Sequence, residues 1–545
     1  MNHLTDKQKV TIMLAIMAAM FFSAINQTII GVAMPRIIAR LGGMDYYTWV
    51  ITIYLLTMAV ATILVGKLSD IYGRKPFLLA GIGFFMVGAF LSGLSNDIFQ
   101  LIVYRGITGL GGGMIMSTAF TAVGDLYLPR ERAKWTGAMS GIFGISSVLG
   151  PLMGGYIVDH LDWHWVFWVF LPLGLIAFVL IAKLFPKVPR REGESIDYLG
   201  SFFLTVTIVS LLMAFSLAGE GPGKFAWYSW QIIGLFGLTV IALIAFMITE
   251  SKVKTPVLPL SLFKNDIVTM SNIAGFLLGA GMMGIMIYTP FFIQGVKGIS
   301  PSGSGYIMMP MSIAMVFATT FAGSFMTKTG KYKGLAITGL LIGAAGIFAM
   351  SSVSIDTPIA LMIAYLCVVG IGLGLSMPVF SLTVQNAVSL SQLGVASASS
   401  QLFRSLGNTV GIGVFGAVMS SVLAKKMTAR FSGQESGMGN LPSEQSGKLG
   451  QLMDPQLLLD APKLKELQAS LPADLQPVAS QLVSTIKGVF SDALTTTFFV
   501  AACIMVAGAV IAIFLRAIPL VSAQDAMKKS QGADETEKLD TAGTK

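Results

Sequence analysis

WVITIYLLTMAVATILVGKLSDIYGRKP, residues 49–76, sets two kinds of sequence back to back. From Trp49 to Gly66 there is no charged residue, a run long enough to cross hydrocarbon as a helix. From Gly66 to Pro76 come two glycines, Asp70 and three basic residues, Lys67, Arg74 and Lys75. The first part predicts a spanning helix, because backbone amides in lipid need partners within their own segment. The second part predicts a tight, charged loop at the membrane surface. The alternation of a membrane barrel strand is absent.

The same unit recurs along the chain. Apolar runs are predicted as helices near 10–34, 46–66, 76–95, 98–124, 135–158, 164–184, 197–217 and 229–249, then 268–294, 303–326, 334–353, 359–383, 397–422 and 494–516. That makes fourteen spans and places both termini on one side. Composition agrees: 54% of the 545 residues are hydrophobic and 12% charged, with a mean hydropathy of +0.76. So little charge leaves no room for a large soluble domain. The first run is too long for the core of a secretory signal and reads as the first span.

Lys and Arg orient the spans. One set of short loops holds sixteen of them, including Lys67, Arg74, Arg130, Lys183, Lys252 and Lys331, whereas the other holds only Arg36, Arg40, Lys224 and Lys297. The positive-inside rule then predicts cytoplasmic termini for a multi-pass protein of a bacterial-type cytoplasmic membrane. The net charge of +9 reflects this bias, and no nucleic-acid partner is expected. A long outer loop, 423–493, carries seven basic and seven acidic residues and five prolines, which predicts short amphipathic helices capping the outer opening. The polar tail is expected to be cytoplasmic and disordered.

The chain also repeats itself. At an offset of 261, Gly109, Gly111, Gly150 and Gly155 fall on Gly370, Gly372, Gly411 and Gly416; at 257, Gly66 and Gly73 fall on Gly323 and Gly330. Two versions of one six-helix unit are therefore expected. Residues 1–192 form the first bundle, 193–264 hold two inserted helices with an inner loop, 265–516 form the second bundle, and 517–545 are the tail. Repeated halves around a midplane site are how secondary transporters alternate access. The halves differ in charge: Asp70 aligns with Thr327, Arg105 with Leu366, Asp125 with Asn386, and Pro151 with Ile412.

Three segments carry chemistry. In the loop after span 2, Gly66 and Gly73 permit a tight turn that sets Asp70 near Arg74 for charge-assisted hydrogen bonds. In span 4, Arg105 precedes Gly109, Gly111, Gly112 and Gly113. An arginine inside an apolar span faces a cavity or a partner, or else snorkels to the surface. In span 5, Gly150, Pro151, Gly154 and Gly155 give a small-residue face with a bend, as a rocking interface requires.

These segments resemble the loop signature, the span-4 arginine signature and the antiporter signature of the major facilitator superfamily. With fourteen spans and the segment Asn26 to Pro35, nearly the whole chain is similar to the fourteen-helix drug:proton antiporter family. The resemblance implies an all-α fold of two six-helix bundles with two inserted helices. It implies an inner gate of Asp70, Arg74 and Asp125, which must break for the cytoplasmic side to open. It ties Arg105, with Asp125, to proton coupling or cavity charge, and Gly150, Pro151, Gly154 and Gly155 to export. The chain departs from that family at Asn26, where an Asp is usual. No carboxylate lies at mid-membrane depth, which leaves Arg105 and Arg404 as the deepest charges and favours neutral, zwitterionic or anionic amphiphiles over dications.

The substrate cavity is expected to draw on Asn26, Gln27, Trp49, Tyr54, Tyr288, Gln294, Gln401 and Asn408, with 32 methionines supplying adaptable surface. Enzymatic readings find no support. The only His are His3, His160 and His164, the only Cys are Cys367 and Cys503, and no metal set, nucleophile–base pair or phosphate loop is present. The expectation is a proton-coupled exporter of drugs or other amphiphiles, without cofactors, acting as a monomer with a small substrate, protons and membrane lipid as its partners. A dedicated exporter of an endogenous lipid, siderophore or peptide is the alternative.

Overall fold

In a computed structural model, the described residues are 5–126, 129–186, 197–218, 225–253, 260–388, 393–431, 452, 454–472 and 475–516. They contain fourteen helices long and apolar enough to cross a membrane. The first half holds α1 (Asp6–Leu41), α2 (Tyr47–Tyr72), α3 (Arg74–Ser92), α4 (Ile98–Leu126), α5 (Pro129–His160) and α6 (Trp165–Leu184, broken near residue 169). Two inserted helices follow, α7 (Tyr198–Leu217) and α8 (Trp230–Lys252). The second half holds α9 (Asp266–Val296), α10 (Pro301–Thr329), α11 (Lys333–Met350), α12 (Ile359–Asn386), α13 (Leu393–Phe431) and α14 (Gln476–Ile513). The arrangement is two sets of six spanning helices with an inserted pair between them, as expected from the repeat. The expected C-terminal tail lies outside the described residues.

Helix ends follow local chemistry. Thr5 and Gln8 form a reciprocal capping box that starts α1. Pro35 lies inside α1, which continues to Leu41 beyond the predicted end; membrane helices tolerate proline where neighbouring helices satisfy the backbone. The long outer loop is shorter than predicted. α13 continues to Phe431, and α14 starts at Gln476 because Pro477 occupies a first-turn position, where its missing N–H costs nothing. Ala479, Leu482, Ile486 and Phe490 bury one face of that extension. Between the two, the described residues hold a 3-10 turn, Pro455–Leu459, and a short helix, Ala461–Ala469.

Glycines set the packing, and they do so twice. A β-carbon on Gly109 would lie 2.3 Å from the Tyr54 carbonyl oxygen of α2, and one on Gly370 would lie 2.2 Å from the Met311 carbonyl oxygen of α10. Gly111 meets α3 at Gly81 and Phe85, as Gly372 meets α11 at Gly339 and Gly343. Such close backbone approach is how helices associate where lipid offers no hydrophobic drive. The repeat in the sequence is therefore a repeat of contacts.

Burial separates centre from periphery. In α9 83% of the most apolar window is buried, in α1 67%, and in α8 only 22%. α1 and α9 thus run through the core. The outward faces of α8, α10 and α4 carry large exposed apolar side chains such as Ile241, Phe317 and Val103, a surface that lipid would cover.

Candidate functional site

The basic end of the molecule, where α2 turns into α3, contrasts with the opposite end. There, α5 and α13 join the two halves. Gly150 and Gly154 face α1: a β-carbon on Gly150 would lie 2.1 Å from Thr28 Oγ1, and one on Gly154 would lie 2.7 Å from the Ile29 carbonyl oxygen. Gly155 faces α10, 2.5 Å from the Pro301 carbonyl oxygen by the same measure, while the Pro151 carbonyl receives Gly305 of α10. The Gly-Pro-x-x-Gly-Gly face is therefore two adjacent stripes, one against its own bundle and one across the seam. The repeat mate of Gly155 does the same in reverse: Gly416 of α13 packs on Thr48 of α2.

Hydrogen bonds close this end further. The Ser302 amide donates to Asp159 at 2.8 Å, and the Gln294 amide nitrogen donates to the Val32 carbonyl at 3.0 Å. Gln294 sits in a π turn, Phe292–Val296, that follows Pro290, a residue with no amide hydrogen for the helix ladder. Tyr288 and Phe291 pack against Tyr47, with ring centroids at 5.9 and 5.0 Å. Above them Arg36 of α1 pairs with Asp460 at 2.6 Å, and Leu458, Leu459 and Leu464 of the same outer segment are buried.

The core of the first half is a polar cluster around Arg105. Its guanidinium is buried and donates to Asn26 Oδ1 at 2.5 Å; Nε lies 3.5 Å from the Val50 carbonyl oxygen. The cationic carbon lies 4.2 Å from the centre of the Tyr54 ring, and the Tyr54 hydroxyl lies 3.4 Å from Ser23 Oγ. A β-carbon on Gly112 would lie 3.0 Å from that hydroxyl, so the glycine makes room for the tyrosine. Arg105 finds a partner rather than a surface. A desolvated cation over an aromatic face gains about 2 kcal/mol, which offsets part of the cost of an arginine inside a membrane, about 3 kcal/mol on insertion scales. Among the described residues no carboxylate forms an ion pair with it.

The eight residues expected in one cavity occupy several places. Asn26 and Tyr54 belong to the Arg105 cluster; Tyr288 and Gln294 lie in the closed seam. Gln27 and Trp49 are half-buried, and Asn408 is buried against Gly279 of α9. Gln401 alone of the eight lines a small recess, with free space for little more than a water molecule and partly open to its surroundings, between α9, α12 and α13. Arg404 lines it too, donating to Gln401 Oε1 at 2.5 Å. The reason for the scatter is the packed seam, which takes up side chains that would face a cavity if that end were open.

At the basic end, Arg74 donates to Ser69 Oγ at 3.1 Å. Asp70 and Asp125 lie on α2 and α4, and their side chains fall outside the described residues. Sequence reasoning missed Thr28, whose hydroxyl donates to the Ser146 carbonyl of α5 at 2.9 Å, and the Arg36–Asp460 pair. The first carried no signal beyond a polar residue on an apolar face. The second was hidden because its partners stand 424 positions apart in the chain.

Comparison with known proteins places this arrangement. The Major Facilitator Superfamily profile matches residues 16–412. The chain is 37% identical to multidrug transporter protein MdtP of Bacillus subtilis over 98% of both chains. It is 32% identical to multidrug resistance protein 3 of the same bacterium, over 93% of this chain and 97% of that one. Among solved structures, a bacterial homologue of the human lysosomal transporter Spinster, captured inward-facing and unoccupied, aligns with a TM-score of 0.63 at 16% identity, covering 95% of this chain and 100% of that one. The matched profile, the relatives and the twice-repeated helix packing agree: the chain belongs to the major facilitator superfamily.

Proposed function

We propose that this protein is a secondary active exporter, driven by proton antiport, that moves drugs or other amphiphilic small molecules out across a cytoplasmic membrane with both termini inside. The observation that carries the reading is the Gly150-Pro151-x-x-Gly154-Gly155 face. It is wedged between α1 and α10 at the end opposite the basic loops, where the bundles must part and re-form in each cycle. If the basic end is cytoplasmic, the present conformation faces inward, ready to load a substrate from the cell interior or inner leaflet. The two Bacillus relatives, named for multidrug transport and multidrug resistance, support export as the direction. Arg105 and Asp125 carry the coupling, and Asp70, Arg74 and Asp125 form the inner gate.

A dedicated exporter of an endogenous lipid, siderophore or peptide is the second reading. It is favoured by Asn26, which gives Arg105 an amide where a carboxylate would receive cationic drugs. Cells stripped of other efflux systems and expressing the protein should accumulate less of an amphiphilic dye, with a protonophore restoring accumulation. Energy-dependent uptake of the dye into intact cells would refute export.

A further inference from the structure

We infer that Arg404, held by Gln401 in the recess between α9, α12 and α13, is a binding subsite for the oxyanion headgroup of an amphiphile, so that this transporter prefers carboxylates, sulfonates or phosphate esters to cations. The inference deepens the exporter reading by naming its substrate class. Arg404 stands eleven residues into α13, about 16 Å along the helix from its basic end. A guanidinium carries five N–H donors in a planar fork, and Gln401 Oε1 takes one of them. Among the described residues no carboxylate forms an ion pair with Arg404, and no acidic side chain lines the recess. The positive charge is thus left without a counter-ion in a half-buried place, and the free edge of the fork matches two oxygens of one anion.

The recess has room for a headgroup oxygen where a water would otherwise sit, and the remainder of such a molecule would lie along its open side. Ser381 and Ser400 add hydroxyl groups near the charge, whereas Leu278, Met377 and Phe380 offer apolar surface for a chain or ring. Arg105 differs: every side of its guanidinium meets protein, so it has no comparable free edge for a ligand.

The test uses the full-length protein in phosphatidylcholine nanodiscs and measures equilibrium binding of decanoate, decanesulfonate and decyltrimethylammonium, with empty nanodiscs subtracted. The wild type should bind both anions at least about tenfold more tightly than the cation, the effect of one charge-assisted bidentate contact. Arg404→Gln should erase that preference and leave cation binding unchanged, and Arg404→Lys should keep only part of it. If Arg404→Gln does not fold, Gln401→Glu decides: it keeps the guanidinium but gives it an internal carboxylate, and it too should abolish the anion preference. Equal binding of anion and cation by the wild type would overturn the subsite, as would an undiminished preference in Gln401→Glu. Binding in nanodiscs needs no gradient or direction, so failure of the subsite and failure of the exporter reading are separately visible.

Discussion

Each half of the molecule holds one arginine within its membrane-spanning core, and each guanidinium donates to an amide oxygen at 2.5 Å, yet the two arginines are held in opposite ways. Arg105 is bound by two other helices, through Asn26 of α1 and through Val50 and Tyr54 of α2, and it is sealed from any recess. Arg404 is bound by a residue of its own helix one turn away and borders open space. A charge locked by three helices fixes their relation, whereas a charge held by one helix is free to meet something else. On the proposed reading, the first half keeps its arginine as a structural and coupling element, and the second half keeps one as a contact for cargo.

The largest expected effect breaks this contrast at its fixed end. Arg105→Ala strands Asn26 and Tyr54 around a void, and transport should fall about 100-fold, in line with the 1–3 kcal/mol cost of a buried polar group left without its partner together with the cost of the cavity. Arg105→Lys keeps the charge without the fork and should retain a fraction of activity. Arg404→Ala should reduce transport only of anionic amphiphiles, by about tenfold. Transport assays with matched anionic and cationic substrates separate the two patterns. Equal, substrate-blind losses at both positions would erase the distinction.

Repeat mates sharpen the comparison at the closed end. Gly155→Val would press on the Pro301 backbone, which does not yield, so transport should drop about tenfold, as overpacking costs of 1–3 kcal/mol imply. Gly416→Val meets the Thr48 methyl group, which can rotate away, and should cost less. Cysteine labelling at the outer end reports the same order: Gly155→Val should open it more than Gly416→Val does.

Asn26→Asp should change little for cations. The 2.5 Å contact turns the new carboxylate into an ion pair with Arg105, which holds it ionised and cancels its attraction for a lipophilic cation. Cation transport measured across external pH should stay within about twofold of wild type, since a satisfied buried pair adds little net charge to the site. A pH-dependent gain would mean that Arg105 leaves Asn26 during the cycle. Smallest of all, Asp460→Asn removes the outer ion pair with Arg36, and outer-end labelling should speed up about two- to fivefold, the range expected of a partly exposed pair near 1 kcal/mol.

The fold was largely legible because lipid imposes a coarse rule: an uncharged run of sufficient length must be a helix. The shared glycine offset marked repeat mates that turn out to make matching close approaches, as at Gly109 and Gly370. Helix ends such as Gln476 were misplaced because Pro477 starts a helix as readily as proline breaks one. The site was less legible. Residue type marked Asn26, Tyr54 and Arg105 as unusual, yet their mutual contact joins α1, α2 and α4, a juxtaposition that no local pattern encodes. The Arg36–Asp460 pair joins positions 424 apart and left no trace in either neighbourhood.

Everted membrane vesicles test the central claim, proton-driven export, most directly. With the vesicle interior acidified, a fluorescent amphiphile should accumulate inside vesicles that carry the wild type. It should leak out when a protonophore is added, and it should fail to accumulate with Arg105→Ala at equal protein level. Accumulation that ignores the protonophore, or that occurs only in right-side-out vesicles, would contradict the account.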